Sequence, residues 1–230
     1  MEQTPLQATQ EEEKQSRIGS ITLRPFHLSD IDDFMVWVTD DRVSRFCTWD
    51  TYTNREDALN YLKEILSHPW YRAICIDGRP IGAISIAPGS LSNRCRGELG
   101  YVLSSKYWGQ GIATVAVKMV INTIFSEWPH LERLEAIVDV DNLGSQRVLE
   151  KAGFLREGLL RKYFIQKGRT RDALMFGGTR AEIHFPSKGS PNTPNKRYPK
   201  KLTKQPKVPS HSAFVVGSLS LLFSGTINFN

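Results

Sequence analysis

The stretch Gly100-Tyr-Val-Leu-Ser-Ser-Lys-Tyr-Trp-Gly-Gln-Gly-Ile-Ala-Thr114 decides the fold, because it joins a predicted strand to a predicted long helix through a glycine turn. Apolar side chains recur at helical spacing over residues 112–124, so the helix begins near Gly111. The N-terminus of a helix presents N–H groups without partners, which suits a phosphate group, and glycine lets the main chain approach it closely. Gly109 and Gly111 alone favour the simpler interpretation, a turn before a core helix.

Two other phosphate-binding motifs are excluded. The sequence has no GxxxxGK[ST], which a P-loop requires. A dinucleotide-binding GxGxxG would need glycine where Thr114 stands, and the order of the elements lacks the expected placement of that motif.

Outward from this turn, short strands and helices follow one another in the order β-α-α-β-β-β-α-β-α-β-β. Asp77-Gly78 and Lys167-Gly168 are typical of hairpin turns. Capping boxes at Ser29 and Thr53 predict two helix starts. The predicted strands are Ile21–Arg24, residues 71–77 and 80–88, Arg96–Leu103, Leu134–Val140, Phe154–Phe164 and Thr170–Phe176. This order predicts an α/β fold with a mixed, largely antiparallel sheet flanked by helices.

The basic charge of the chain lies at its end. The chain has 30 Lys+Arg and 24 Asp+Glu, a net charge of +6, yet residues 1–180 hold 23 of each and residues 181–230 hold seven basic residues and one acidic residue. The end is also rich in Pro, Lys and Ser, a composition that cannot bury a core. We therefore predict a flexible leader over 1–20, a folded domain over 21–178 and a disordered basic tail over 179–230.

The cysteines and the apolar runs limit the class of protein further. Cys47, Cys75 and Cys95 are odd in number and form no CxxC, which predicts buried thiols in a reducing compartment and no metal site. No apolar run reaches the roughly 18 residues of a membrane span, and the acidic first residues do not resemble a signal peptide. We expect a cytoplasmic, or also nuclear, protein.

Two motifs carry a resemblance to a known family. WGQGIAT together with DNxxSxxVLEKAGF resembles the GCN5-related N-acetyltransferase superfamily. ITLRPFHLSDIDDF and GELGYVLSSKYWGQGIAT are similar to its branch that includes the ribosomal-protein N-terminal acetyltransferases. The similarity covers residues 21–178. It implies acetyl-coenzyme A as the donor and the acyl-CoA N-acyltransferase fold, with the sheet splayed between its fourth and fifth strands.

The resemblance implies roles for the residues that match. The pyrophosphate would lie against backbone N–H groups of the glycine turn, where Trp108 replaces the family's usual Gln or Arg. The pantetheine arm would pair with the main chain of residues 101–103 and bind Asn142, for which a plain helix cap is the alternative. The predicted donor contacts are Tyr101, Val102, Leu103, Gly109, Gln110, Gly111, Ile112, Ala113, Thr114, Asn142 and Ser145.

Acetyl transfer needs a neutral amine, hydrogen-bond donors for the oxyanion and a proton for the thiolate. The resemblance makes Glu98 the candidate base and Ser145 the candidate acid, with a main-chain N–H near Val102 as oxyanion donor. For Glu98, a solvated strand carboxylate is the alternative. Trp49 and Tyr52 could border the acceptor site. Tyr163 is a weaker candidate for lining it, and packing within the last hairpin is the favoured role.

The acceptor is expected to be a primary amine, on a protein N-terminus or a small molecule. Two other functions remain as alternatives. One is a regulatory module that binds acetyl-CoA without catalysis. The other is a protein that associates with nucleic acid through its basic tail, which charge alone would make nonspecific. No specific nucleic acid is expected, and the sequence leaves the oligomeric state open.

Overall fold

The structure, a computed structural model, describes residues 19–183 and the main chain of Val215–Val216. Most of the predicted leader and tail lie outside these residues. Seven strands form a sheet in the order β1-β2-β3-β4-β5-β7-β6, in which only β4 and β5 are parallel neighbours. The strands are β1 Ile21–Arg24, β2 Tyr71–Ile76, β3 Arg79–Pro88, β4 Arg96–Leu103, β5 Arg133–Asp139, β6 Leu155–Gln166 and β7 Arg169–Thr179. A two-residue strand, β8 (Val215–Val216), pairs antiparallel with β4.

The helices confirm the predicted order of elements and add two short ones. The helices are α1 Ile31–Val38, α2 Asp41–Ser44, α3 Arg55–Ser67, α4 Ile112–Glu127, α5 Leu143–Ala152 and α6 Arg180–Ile183. The helix α2 was not predicted, and α6 follows β7 directly. Because Ile183 is fully buried in the core, the folded part continues past the predicted limit at Gly178.

Two helix starts were predicted one residue too early. Asp30, not Ser29, is the N-cap of α1, and its carboxylate accepts the His27 N–H at 2.8 Å. Asn54, not Thr53, caps α3, and its Oδ1 accepts the Asp57 N–H at 2.8 Å. Asn is at least as good a cap as Thr, so Asn54 takes the position at α3. The Asp30 side chain makes no capping bond to α1, because a single turn of 3-10 helix, Leu28–Asp30, precedes the helix and the carboxylate bonds back to the N-cap of that turn, His27.

Alternation along β4 divides the core between the two faces of the sheet. Leu99 and Tyr101 pack with α4 and α5 on what we call the α4–α5 face. Val102 packs with residues of α1–α3 on the opposite face, the α1–α3 face. Because side chains alternate along a strand, Glu98 shares the α1–α3 face with Val102. Glu98 therefore lies on the face of the sheet opposite the one that α4 and α5 cover.

The cysteines follow the prediction only in part. Cys47 and Cys75 are buried, and burial raises the pKa of both thiols. Cys95, however, is exposed, because it precedes β4 in a surface turn. Within residues 19–183, no group of three His, Cys, Asp or Glu side chains could hold a metal ion. Over the same part of the chain, no helix has the length and apolar character needed to cross a membrane.

Asp40 caps α2 and ties it to the turn that follows β4. Its carboxylate accepts hydrogen bonds from Arg42 at 2.7 Å and from Ser105 Oγ at 2.5 Å. The Arg42 guanidinium lowers the pKa of Asp40 from 3.8 to about 2. A pKa lowered in the folded state gives stability that is present above the ordinary pKa and lost as the pH falls toward the folded pKa.

We therefore expect Asp40→Asn to lower the free energy of unfolding at pH 7 by about 1 kcal/mol, a small value because solvent screens the pair. At pH 2 the difference from the native chain should largely disappear. Chemical denaturation at the two pH values measures both effects. Asp77→Asn, which neutralises an exposed turn carboxylate, is the matched control. An equal loss at pH 2 and pH 7 would contradict the prediction.

Candidate active site

The parallel pairing of β4 and β5 ends early, which opens the sheet. The last paired residues are Glu98 and Glu135. Beyond them, β4 stays paired with β3 through Leu103, and β5 stays paired with β7 through Asp139. The two strands therefore diverge into a cleft, bordered by residues 99–103 of β4 and residues 136–139 of β5. This is the predicted splay between the fourth and fifth strands.

The glycine turn lies where β4 leads into α4. Gly109 and Gly111 have φ values of +75° and +85°, in the left-handed region. A Cβ at either position would meet no atom within 4 Å, so glycine is required there by the main-chain conformation and not by lack of room. Gly111 is the N-cap of α4 and has no side chain to accept hydrogen bonds from the first turn. The N–H groups in the first turn of α4 therefore remain available to donate hydrogen bonds to an anion.

Side chains of the same turn hold it in place. The Trp108 indole N–H donates to the Leu103 carbonyl at 2.8 Å, and the Gln110 amide donates to the Lys106 carbonyl at 3.0 Å. Trp108, which departs from the family pattern, thus braces the start of the turn against the end of β4. The side chains of Ile112 and Ala113 are buried, so these two residues could meet a ligand only through their main chain.

The N-terminus of α5 forms the other wall of the cleft. Asn142 Oδ1 accepts the Ser145 N–H at 3.1 Å, so Asn142 does cap the helix. The Tyr101 hydroxyl donates to the Ser145 carbonyl at 3.1 Å and so joins β4 to α5. The buried Ser145 Oγ has no hydrogen-bond partner among the described residues. A buried hydroxyl without a hydrogen-bond partner could bond a polar ligand in the cleft.

A charged cluster fixes the turn between β5 and α5. Arg171 of β7 donates to both carboxylate oxygens of Asp139, at 2.7 and 2.8 Å, and it also pairs with Asp141. The Asp139 side chain is 2% exposed. This cluster was not predicted, because its only signal in the local sequence is the pair of aspartates before Asn142.

On the α1–α3 face, carboxylates border the start of the cleft. Glu98 lies beside Glu135, which Arg96 and Arg133 hold by ion pairs. Burial raises the pKa of Tyr163 most, and the negative charge of Glu98 raises it further. The phenol of Tyr163 therefore lies within the electrostatic reach of Glu98. The side chain of Tyr163 is 44% exposed, and its ring stands edge-on to that of Phe164 in the same hairpin.

The edge of β4 that faces the cleft already pairs with an extended chain. Val215 and Val216 of β8 lie opposite Val102 and Tyr101, the positions predicted to pair with the pantetheine arm. A strand edge can pair with one extended partner at a time, so a donor arm that used this edge would replace β8. The edge thus has the backbone groups that such an arm needs.

The predicted donor residues all lie on the three elements around the cleft: the end of β4, the glycine turn with the start of α4, and the start of α5. A splayed sheet with an open helix N-terminus at its end can hold a ligand that carries phosphates and an extended arm. A family model for the acetyltransferase (GNAT) domain matches residues 20–155. The chain belongs to this family.

Known proteins are similar to this chain in sequence or in fold. The uncharacterized N-acetyltransferase p20 of Bacillus licheniformis is 29% identical over 168 residues, which cover 68% of this chain and 90% of that protein. The structure of a GNAT-family acetyltransferase from Bacillus anthracis aligns with a TM-score of 0.65 at 23% identity, over 71% of this chain and 96% of that one. The microcin C7 self-immunity acetyltransferase MccE, solved with acetyl-CoA and AMP, aligns with a TM-score of 0.63 at 20% identity, over 70% and 92%.

Proposed function

We propose that this protein transfers an acetyl group from acetyl-CoA to a primary amine, by direct attack within a ternary complex. The observation that carries the proposal is the cleft, which opens just beyond Glu98 and ends at the glycine-led N-terminus of α4. A donor bound along this cleft would place its phosphates at the turn and its acyl end near α5 and Glu98. Membership of the family supports the choice of acetyl-CoA.

The residues around the cleft fit acetyl-CoA. The N–H groups of residues 109–114 would hold the pyrophosphate, with Gly111 at the helix N-terminus. The main chain of residues 101–103 would pair with the pantetheine arm. Asn142 and Ser145 would border the end of that arm, where the Ser145 hydroxyl finds a partner that it otherwise lacks. When bound, acetyl-CoA supplies an acetyl group activated as a thioester.

The chain's own residues would move two protons. Glu98 would accept the proton that the attacking amine loses, directly or through water. Ser145 Oγ would give a proton to the departing sulfur and regain one from solvent, while Glu98 releases its proton to solvent. A main-chain N–H near Val102 would donate to the carbonyl oxygen as negative charge develops on it. The C–N bond forms as the C–S bond breaks. The buried thiols of Cys47 and Cys75 take no part, because no covalent enzyme intermediate is needed.

The test is calorimetry with acetyl-CoA, followed by a transfer assay that detects free thiol. We expect binding, and we expect Gly111→Val to weaken it about tenfold, because valine at φ +85° costs roughly 1–2 kcal/mol and shifts the N–H groups of the turn. Gly111→Asn should weaken binding less, since asparagine tolerates this conformation better. Gly158→Val, at an open position of β6 where φ is not positive, is the control.

Absence of acetyl-CoA binding to the native chain would contradict the proposal. Binding without transfer to any amine would favour the regulatory module. A cytoplasmic location remains part of the proposal.

A further inference from the structure

A cavity of about 310 Å³ lies at the end of the sheet where three elements meet. Its walls come from α1, from the turn between β2 and β3, and from the residues that follow β4. Arg79 of β3 pairs with Asp33 of α1 at 2.6 Å, which holds the helix against the turn. This volume is at the lower end of the range for small-molecule pockets, so the cavity could hold one small organic ligand.

The cavity is separate from the cleft of the proposed active site. Ser104 and Ile81 both line the cavity, and the Ser104 N–H donates to the Ile81 carbonyl at 2.8 Å. The cavity therefore borders the edge of β4 that pairs with β3. The cleft borders the other edge of β4, the one that faces β5. A ligand in the cavity would leave the cleft unoccupied.

The lining of the cavity is largely apolar but includes a hydrogen-bond donor without a partner. Trp37, Ile76 and Ile81 belong to this lining, and Trp37 is 1% exposed. The buried indole N–H of Trp37 has no hydrogen-bond partner among the described residues. Buried indole N–H groups usually have a partner, so this donor needs an acceptor that the described part of the chain does not supply.

The charges around the cavity indicate the chemistry of that acceptor. Asp33 is already paired with Arg79, so these two side chains largely neutralise each other. Lys106 is an exposed cation of the same lining and forms no salt bridge to a residue that the structure describes. An ammonium group and an indole N–H can both donate to a carboxylate. Asp77, an exposed carboxylate of the lining, would repel a second negative charge, which favours a monoanion.

We propose that this cavity binds a small organic monocarboxylate with an aromatic or branched apolar body, at a site separate from acetyl transfer. The carboxylate accepts hydrogen bonds from the Trp37 N–H and from Lys106. The apolar body packs against Ile76 and Ile81. Val36 of α1, which also lines the cavity and is 50% exposed, loses contact with water when the ligand binds.

The experiment titrates the full ¹⁵N-labelled chain with 3-phenylpropionate and follows the indole N–H resonances by NMR. We expect a Kd of about 1 mM or lower. The Trp37 indole N–H resonance, identified by its loss in Trp37→Phe, should shift as its hydrogen bond forms. 3-Phenylpropan-1-amine has the same apolar body and the opposite charge, so it should bind at least about tenfold more weakly.

Two variants test the groups that hold the carboxylate. Lys106→Gln should weaken the binding of 3-phenylpropionate about fivefold, since it removes a charge-assisted hydrogen bond. Trp37→Phe should weaken it about tenfold, with a thermal melt to check that the variant is folded. Lys151→Gln, which removes an exposed positive charge of α5 outside the cavity lining, is the matched control and should leave the affinity unchanged.

Absence of binding at about 10 mM 3-phenylpropionate, or equal binding of the acid and the amine, would overturn the inference. Displacement of the acid by saturating coenzyme A would also overturn it, because the acid would then lie in the cleft. If Trp37→Phe does not fold, Lys106→Gln decides alone, and an unchanged affinity in that variant contradicts the inference. None of these outcomes depends on acetyl transfer, so the proposed function is tested separately.

Discussion

Glu98→Gln is expected to reduce kcat about 100-fold while acetyl-CoA affinity stays nearly unchanged, because general base catalysis contributes at least this much and the carboxylate lies outside the donor turn. Glutamine keeps the size and a hydrogen-bonding oxygen of glutamate but cannot take up a proton at neutral pH. Glu98 is the last β4 residue paired with β5, so it stands where the cleft opens, and strand alternation puts it on the α1–α3 face. The loss should therefore appear in turnover and not in donor binding.

The pH dependence separates a base from a merely structural carboxylate. The variant depends on amine that is already neutral in solution, so its rate should rise with pH and the deficit should shrink as the pH approaches the pKa of the acceptor. Stopped assays with n-butylamine across pH 6.5–9.5 measure this, alongside calorimetry with acetyl-CoA. Glu132→Gln, an exposed change of the same kind next to β5, is the control. Unaltered turnover would remove Glu98 from the mechanism.

Arg171→Met is expected to lower the free energy of unfolding by about 3 kcal/mol, because it leaves a buried carboxylate without its partner. The Asp139 side chain is 2% exposed, and both of its oxygens accept from Arg171. The same pairing raises the pKa of Arg171. Loss of the cluster should also let the turn before Asn142 move, so acetyl-CoA affinity should fall in the variant that still folds.

A double-mutant cycle tests the cause. Asp139→Asn combined with Arg171→Met removes the buried charge, so the double variant should be destabilised by less than the sum of the single changes. Arg171→Lys should be less destabilised than Arg171→Met, since lysine keeps the positive charge but not the bidentate hydrogen bonding to Asp139. Arg147→Met, an exposed change on α5, is the control. A loss within about 0.5 kcal/mol for Arg171→Met, typical of an ordinary surface site, would contradict the prediction.

Local patterns in the sequence predicted much of the fold. The Asp77-Gly78 and Lys167-Gly168 turns, the glycine turn at Gly109 and Gly111, and the alternation of β4 each depend on a few neighbouring residues. The cap of α3 was misplaced because Asn54 caps at least as well as Thr53, and the start of α1 was misplaced because a single turn of 3-10 helix, Leu28–Asp30, precedes it. The exposure of Cys95 was missed because a cysteine carries no local signal of the turn that holds it.

The donor residues could be proposed from the sequence because they lie in two short motifs, each of which folds around its own helix N-terminus. The contacts around the acceptor candidates could not be predicted in this way. Gln166 and the Cys47 carbonyl to which it donates are 119 positions apart, and the pKa of Tyr163, which burial raises first, is raised further by the charge of Glu98 on a different strand. Such contacts depend on the point at which β4 and β5 part.

The sequence by itself thus determined the order of the elements, the conformation of the glycine turn and the family, because these follow from main-chain preferences and side-chain periodicity within short windows. The tertiary structure alone decided how the tip of the last hairpin bonds to the loop after α2, how Arg171 compensates Asp139 and how Tyr101 joins β4 to α5. Each of these is a contact between distant segments, and its geometry exists only once the packed sheet has fixed the distance between them.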